Sequence, residues 1–228
     1  MDKKSANGKA IFQAVTTCLV VGGLLFGSAG TLRWLNGWLF IIAYVALVVS
    51  LTGFFSKSPE LIKERVTAAK KAKPWDKVLF AMLAAVLPLV YVVLAGLDQR
   101  YGWTAPFPFA VTAITFVVMV ASNILTFWAM WVNKFFSSHV RIQKDRGHKV
   151  VTDGPYRFIR HPGYTGGIIY NLSAPLVLGS FVAVWCGVTI LILFVVRTVL
   201  EDKTLQKELK GYRQYAAKVR YKLVPLVW

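Results

Sequence analysis

Acidic residues, cysteines and histidines are all scarce in this 228-residue sequence: 10 Asp and Glu stand against 27 Lys and Arg, with two Cys and three His. Cys18 and Cys186 lie far apart inside apolar segments, without a Cys or His neighbour at metal-ligand spacing. We therefore predict that they are small buried side chains and that the chain has no metal site. No glycine-rich fingerprint follows a plausible strand, so a nucleotide-like cofactor would have to bind without a Rossmann fold.

The composition is that of a membrane protein. Hydrophobic residues make up 56% of the chain and the mean hydropathy is +0.54, which is too apolar for an ordinary soluble domain. The formal net charge of +17 could suggest a nucleic-acid partner, but the basic residues are dispersed between apolar segments. We attribute this charge to membrane topology and anionic lipid headgroups, and we expect no nucleic acid as a partner.

Six apolar segments recur along the chain, and the first four are each long enough to cross a bilayer as a helix. The fifth is shorter and contains Asn171 and Pro175. We predict an all-α integral membrane protein of about six transmembrane helices, with five helices plus a re-entrant hairpin as the alternative. The segments span residues 10–29, 34–55, 77–97, 106–132, 164–179 and 181–199.

The distribution of basic residues predicts the topology. With the N-terminus in the cytoplasm and six spans, 25 of the 27 Lys and Arg lie on the cytoplasmic side, and only Arg33 and Arg100 lie on the other. Both termini are then cytoplasmic, as are residues 133–166 and 197–228. The sequence predicts no oligomeric state.

The sequence also predicts an interfacial helix and a division of the chain into two parts. Ser58 as N-cap, Pro59 in the first turn and Glu60 beside them predict an amphipathic interfacial helix near 58–72, with a solvated basic connector as the alternative. We expect residues 1–132 to form an N-terminal transmembrane part and residues 133–228 to form the core that carries the chemistry.

A polar and aromatic run, GPYRFIRHPGYTG at residues 154–166, separates two of the apolar segments. Its prolines and glycines prevent either neighbouring helix from continuing through it. Arg160 and His161 are costly in hydrocarbon, so at a membrane boundary they indicate a binding site. A histidine that only caps a helix is the structural alternative for His161.

A second polar cluster, RTVLED at residues 197–202, follows the last apolar segment. Arg197 and Glu201 are four residues apart and share one face of a helix. An ordinary ion pair between them is the alternative to a functional role.

These motifs resemble the isoprenylcysteine carboxyl methyltransferase family, and the SPELIKER run at residues 58–65 is similar to its bacterial-type members. The resemblance covers residues 133–228, where the two polar clusters are followed by GYRQY at 211–215 and RYKLVP at 220–225. The family pattern usually has two glutamates where this chain has Glu201 and Asp202, and the sequence assigns Asp202 no role.

The resemblance implies an integral membrane methyltransferase that uses S-adenosylmethionine at a cytoplasmic site, with a lipid-like or prenylated acceptor. It implies that Arg197 holds the acceptor and that Glu201 serves both catalysis and cofactor binding. The remaining cofactor-binding residues implied by it are Gly154, Tyr156, Arg160, His161, Tyr164 and Gly166.

The chemistry of methyl transfer is compatible with these roles. The carboxylate of a prenylcysteine is ionised at neutral pH and needs a cation to hold it more than a base to activate it. The alternatives are a phospholipid amine N-methyltransferase, which would need a base such as His161 or Glu201, an NADPH-dependent membrane reductase, and a small transporter or scaffold.

Overall fold

The computed structural model describes residues 3–56, 64, 68–70 and 72–228, and its regular structure within these residues is entirely helical. The α-helices that lie wholly within continuous described residues are α1 (Lys3–Ala29), α2 (Leu35–Ser56), α3 (Pro74–Tyr101), α4 (Phe109–Val132), α5 (Pro162–Val177), α6 (Phe181–Glu208) and α7 (Tyr212–Lys218). Short 3-10 turns cover Lys144–Arg146 and Gly154–Arg157.

Helix α3 combines three helical segments, Pro74–Ala81, the π-helical turn Met82–Val86, and Leu87–Tyr101. It begins at a proline, whose fixed φ suits the first helical turn, and it ends before Gly102, which adopts φ 65°. The start and the end of this helix therefore follow directly from the local sequence.

Among the residues that the structure describes, five helices are long and apolar enough to cross a membrane: Ala10–Ala29 of α1, then α2, α3, α4 and α6. Their outward surfaces carry large apolar side chains; Leu19, Val49 and Ile124 are exposed by 70%, 63% and 66%. Such a surface suits lipid rather than water. The predicted class, an all-α integral membrane protein, is confirmed.

Helix α5 corresponds to the short fifth segment, and with 16 residues it is about 24 Å long. Its first residues lie beside the part of α6 that contains Asp202, since Arg160 is bonded to Asp202. After its last residues, Ser180 donates to Asp98, which lies near the C-terminal end of α3. Helix α5 therefore runs from one end of the bundle to the other.

The turn between α5 and α6 is set by two residues. Gly179 adopts φ 77°, which favours glycine, and the Ser180 side chain accepts a hydrogen bond of 3.1 Å from the Ala183 N–H as the N-cap of α6. A tight helical hairpin results.

The helices share one apolar core that contains Leu25, Phe40, Tyr91, Val177 and Ile190, from α1, α2, α3, α5 and α6. Helix α4 ends at Val132 and packs along α5. The two predicted parts of the chain are thus in contact, and the division at residue 132 stays a prediction. The predicted interfacial helix near 58–72 falls mostly outside the described residues.

Candidate functional site

A cleft opens at the end of the bundle where α5 begins. It lies between the 133–161 connection, the first turn of α5, the last turns of α6, and α7, and it has a volume of ≈ 800 Å³ including its open mouth. Its aromatic and ionisable lining residues include Phe135, Phe136, His139, Arg141, His148, Lys149, Tyr156, Arg160, His161, Tyr164, Glu201, Tyr212 and Tyr215.

Asp202 organises one wall of this cleft. This residue is 2% exposed, and its carboxylate accepts a hydrogen bond of 3.1 Å from Arg160 Nη2 and lies 2.9 Å from Arg160 Nε. His161 Nε2 lies 3.4 Å from the same carboxylate, Tyr212 donates to it at 2.9 Å, and Gln206 donates at 2.8 Å. Asp202 thereby neutralises a buried guanidinium and joins α6 to both the 154–166 run and α7.

Tyr164 and Glu201 form a second pair in the cleft. The Tyr164 hydroxyl donates a short hydrogen bond to Glu201 Oε2. The ring of His161 stacks on that of Tyr164, with 5.6 Å between the ring centres and 12° between the planes. The two sequence motifs therefore meet in space, where Arg160 and His161 contact Asp202 and Tyr164 contacts Glu201.

Arg197 is adjacent to the cleft but is not among its lining residues. Its Nε donates to Asp76 Oδ1 at 2.9 Å, and its Nη2 donates to the Ser138 carbonyl at 2.6 Å. Its guanidinium carbon lies 5.2 Å from the centre of the Tyr164 ring and 5.7 Å from that of Phe80. Arg197 thus lies on the far side of Tyr164 from the cleft, where it contacts the Asp76 carboxylate and the rings of Tyr164 and Phe80.

The two predicted site glycines lie against α4. A Cβ at Gly166 would be 2.2 Å from Thr126 Oγ1 and 2.7 Å from the Ser122 carbonyl oxygen, so α5 approaches α4 too closely there for any side chain. Gly154 has φ 56°, and a Cβ there would be 2.8 Å from Val132 Cγ2. In this structure both glycines shape the backbone around the cleft, and neither lines it.

The last residues of the chain hold the site in place. The Arg160 and His161 N–H groups donate to the Tyr221 and Lys222 carbonyls at 3.0 and 2.9 Å. The Thr165 hydroxyl donates to the Leu223 carbonyl at 2.8 Å. The Tyr-Lys-Leu part of the RYKLVP motif therefore forms the support behind the 154–166 run.

Several cleft residues outside the spans have shifted pKa values, and His148 and Tyr212 are two of them. Burial lowers the pKa of His148 to about 4, with Arg141 and Arg146 lowering it and Glu64 raising it, so this imidazole is neutral at physiological pH. Burial and the Asp202 carboxylate raise the pKa of Tyr212 well above its ordinary value, so its hydroxyl stays a donor to Asp202.

The sequence analysis did not identify Asp76, His139 or Tyr212 as site residues. Asp76 is fully buried and lies in the first turn of α3, and an acid at the start of an apolar span in so basic a chain was the available signal. Tyr212 belongs to the GYRQY motif, whose aromatic residues also fit a membrane interface. Within the described residues, no group of three His, Cys, Asp or Glu could hold a metal.

Fold and site together define a polytopic all-α membrane protein with an aromatic and charged cleft at one end of its bundle. Residues 113–207 match the model of the isoprenylcysteine carboxyl methyltransferase (ICMT) family. The resemblance that the motifs indicate is therefore confirmed over the part of the chain that contains α5, nearly all of α6 and both polar clusters.

Three relatives agree with this match. The chain is 33% identical over 86 residues to the protein-S-isoprenylcysteine O-methyltransferase of Schizosaccharomyces pombe. These 86 residues are 37% of this chain and 36% of that protein. It is 28% identical over 144 residues to protein-S-isoprenylcysteine O-methyltransferase B of Arabidopsis thaliana, or 61% and 69% of the two chains. A probable rice enzyme of the same name (Oryza sativa subsp. indica) is 26% identical over 105 residues, or 45% and 55%. The chain thus spans between about a third and two thirds of these relatives.

Proposed function

We propose that this protein is a membrane methyltransferase that transfers a methyl group from S-adenosylmethionine to a lipid-like acceptor, most naturally the carboxylate of a prenylcysteine. The observation that carries the proposal is the meeting of the two motifs in one cleft, through Arg160 with Asp202 and Tyr164 with Glu201. The matched family and the names of the relatives support it.

The residues of the cleft fit the proposed cofactor. Glu201 offers a carboxylate to a sulfonium or ammonium group, and the rings of Phe135, Phe136 and Tyr164 offer faces to an adenine or a cation. Lys149 is exposed at the cleft and can neutralise the cofactor carboxylate. S-adenosylmethionine supplies an already activated methyl group, so the protein has chiefly to align the acceptor with it.

We assign the residues in and beside the cleft to three roles: cofactor binding, positioning and acceptor binding. Tyr164 and Glu201 face the cofactor, while Asp202 holds Arg160 and His161 in place beside them. Arg197, on the far side of Tyr164 from the cleft, is the cation proposed to hold the acceptor carboxylate from the membrane side, because its guanidinium is permanently charged and can donate from Nη1 to a carboxylate.

One observation favours a second candidate, N-methylation of a lipid amine. His139 lines the cleft with its Nδ1 2.9 Å from Asp76 Oδ2, and its Nε2 makes no hydrogen bond to any residue that the structure describes. An imidazole so held can accept the proton that an ammonium acceptor must lose. Neither the reductase nor the transporter or scaffold alternative has a comparable observation in its favour.

Binding of S-adenosylhomocysteine to the detergent-purified protein is the direct test. Calorimetry is expected to give specific binding, and His161→Ala is expected to weaken it by about tenfold or more, since a hydrogen bond to a charged group contributes about 1.5–3 kcal/mol. Arg157→Ala is the matched control, because that exposed side chain pairs with Asp153 away from the cleft. Binding of NADPH in place of S-adenosylhomocysteine would contradict the proposal and favour the reductase.

We place the protein in a bacterial-type inner or cell membrane with both termini and the cleft in the cytoplasm, because the basic residues concentrate on that side. Single cysteines introduced at positions 3 and 226, in a background without Cys18 and Cys186, are expected to be labelled only after the membrane is opened. Labelling of either position from outside intact cells would overturn this orientation.

A further inference from the structure

Asp76 is the most buried acid near the cleft, at 0% exposure, and it receives donors from two other parts of the chain. Its Oδ1 accepts from Arg197 Nε of α6 at 2.9 Å. Its Oδ2 accepts from the Val140 N–H at 2.9 Å and lies 2.9 Å from His139 Nδ1. Both carboxylate oxygens are therefore used, and the start of α3 is tied to α6 and to the cleft wall.

These bonds determine which part of Arg197 remains available. Nε and Nη2 are committed to Asp76 and to the Ser138 carbonyl, and the two aromatic faces of Tyr164 and Phe80 limit rotation of the guanidinium. Nη1 makes no hydrogen bond within the described residues. A guanidinium fixed in this way presents one donor edge in one direction, at little further cost in side-chain entropy on binding.

We propose that Asp76 is a positioning residue for the methyl acceptor: it orients Arg197 so that Nη1 meets an anionic group, and it orients His139 at the cleft. This proposal rests on the proposed function and adds to it a residue from outside the matched segment 113–207. Asp76 itself does not line the cleft, so it acts through its two partners.

The test compares Asp76→Asn with Asp98→Asn in the full chain. Asp98 is the matched control because it is also a buried acid of α3, 3% exposed, but it accepts from Thr104 and Ser180 at the opposite end of the bundle. Both changes remove a buried charge, so both are expected to lower thermal stability. Only Asp76→Asn is expected to lower kcat/KM for the acceptor, by about 100-fold, because small displacements of a positioning group have effects of that size.

The measurement uses S-farnesyl-N-acetylcysteine as acceptor and S-adenosylhomocysteine as the calorimetric ligand. Asp76→Asn should leave the affinity for S-adenosylhomocysteine unchanged, because Tyr164, His161 and Glu201 keep their contacts. An equal loss of kcat/KM in both variants, or none in Asp76→Asn, would overturn the positioning role. A wild-type protein that neither binds S-adenosylhomocysteine nor transfers a methyl group would instead overturn the proposed function, and this role with it.

A second pair of variants decides the matter if Asp76→Asn does not fold. His139→Asn keeps an N–H donor near the position of Nδ1, whereas His139→Leu removes it. If Asp76 acts by positioning, the Asn variant keeps most of the acceptor kcat/KM and the Leu variant loses it. Equal kcat/KM values in the two variants, whether lowered or unchanged, would show that turnover does not depend on the hydrogen bond between His139 and Asp76, and would overturn the positioning role. An equal loss would in addition favour proton transfer from an amine by the imidazole.

Discussion

Replacing Asp202 with alanine is expected to lower the free energy of unfolding by about 3–5 kcal/mol, the range for breaking a buried ion pair by removing one partner. Arg160 is only 8% exposed, and with Asp202 absent its charge would keep, among the described residues, the Ala216 and Val219 carbonyls as partners. For a chain of this length that loss corresponds to roughly 10 °C in the apparent midpoint of thermal unfolding. The measurement is thermal unfolding in detergent, followed by tryptophan fluorescence.

The same variant is expected to lose S-adenosylhomocysteine binding. Asp202 orients Arg160, His161 and Tyr212, two of which belong to the run that opens α5. The control is Asp153→Ala, which removes a carboxylate whose side chain is 72% exposed and whose ion pair with Arg157 contributes little. An Asp202→Ala protein with wild-type stability and binding would show that the carboxylate is not the centre of the site.

The position of the cleft could be predicted from the sequence because of a general property of membrane proteins. Polar runs between apolar spans are confined to the ends of the helices, and the positive-inside pattern places residues 133–166 and 197–228 on the same side. Two clusters 30 residues apart, separated by a tight hairpin, must then meet at one end of α5 and α6. The contacts of Arg160 and Tyr164 with Asp202 and Glu201 follow that arrangement.

The partners of individual side chains could not be predicted in this way. The i,i+4 spacing of Arg197 and Glu201 suggests a mutual ion pair, yet Arg197 binds Asp76, which is 121 residues away in sequence, and Glu201 accepts from Tyr164. Helical spacing places Arg197 and Glu201 on one face of α6, but the packing of neighbouring helices decides which group binds each charge. Asp76 belongs to a span whose contact with α6 no local pattern indicates.

The hydrogen-bond partners of Asp202 could not be predicted from the sequence either. One methylene shorter than the glutamate of the family pattern, it keeps four side-chain partners because Tyr212 and Gln206 reach it from α7 and from the next turn of α6. The predicted roles of Gly154 and Gly166 are equally a matter of packing. Both glycines allow the backbone to approach α4 closely. A glycine in a sequence motif indicates that there is no room for a side chain, but it does not indicate whether a ligand or a helix occupies that space.

Arg197→Ala is expected to lower acceptor turnover by about 100-fold or more while S-adenosylhomocysteine still binds. Truncating one member of a buried, hydrogen-bonded charge pair costs about 2–5 kcal/mol, and here the lost group is also the proposed cation for the acceptor carboxylate. The variant should also be less stable, because Asp76 would remain buried with His139 and Val140 as its partners within the described part of the chain. The measurements are methyl transfer to S-farnesyl-N-acetylcysteine, calorimetry and thermal unfolding.

Arg197→Lys separates the two effects. A lysine keeps a positive charge near Asp76 and so should retain much of the stability, but it has no planar fork with which to bind Asp76 and an acceptor carboxylate together. Turnover should therefore stay low in a protein that is nearly as stable as the wild type. Arg213→Ala, which removes an exposed arginine bonded to the Gln206 carbonyl, should leave both quantities unchanged. Wild-type turnover in Arg197→Ala would remove Arg197 from the acceptor site and reduce its contact with Asp76 to a structural ion pair.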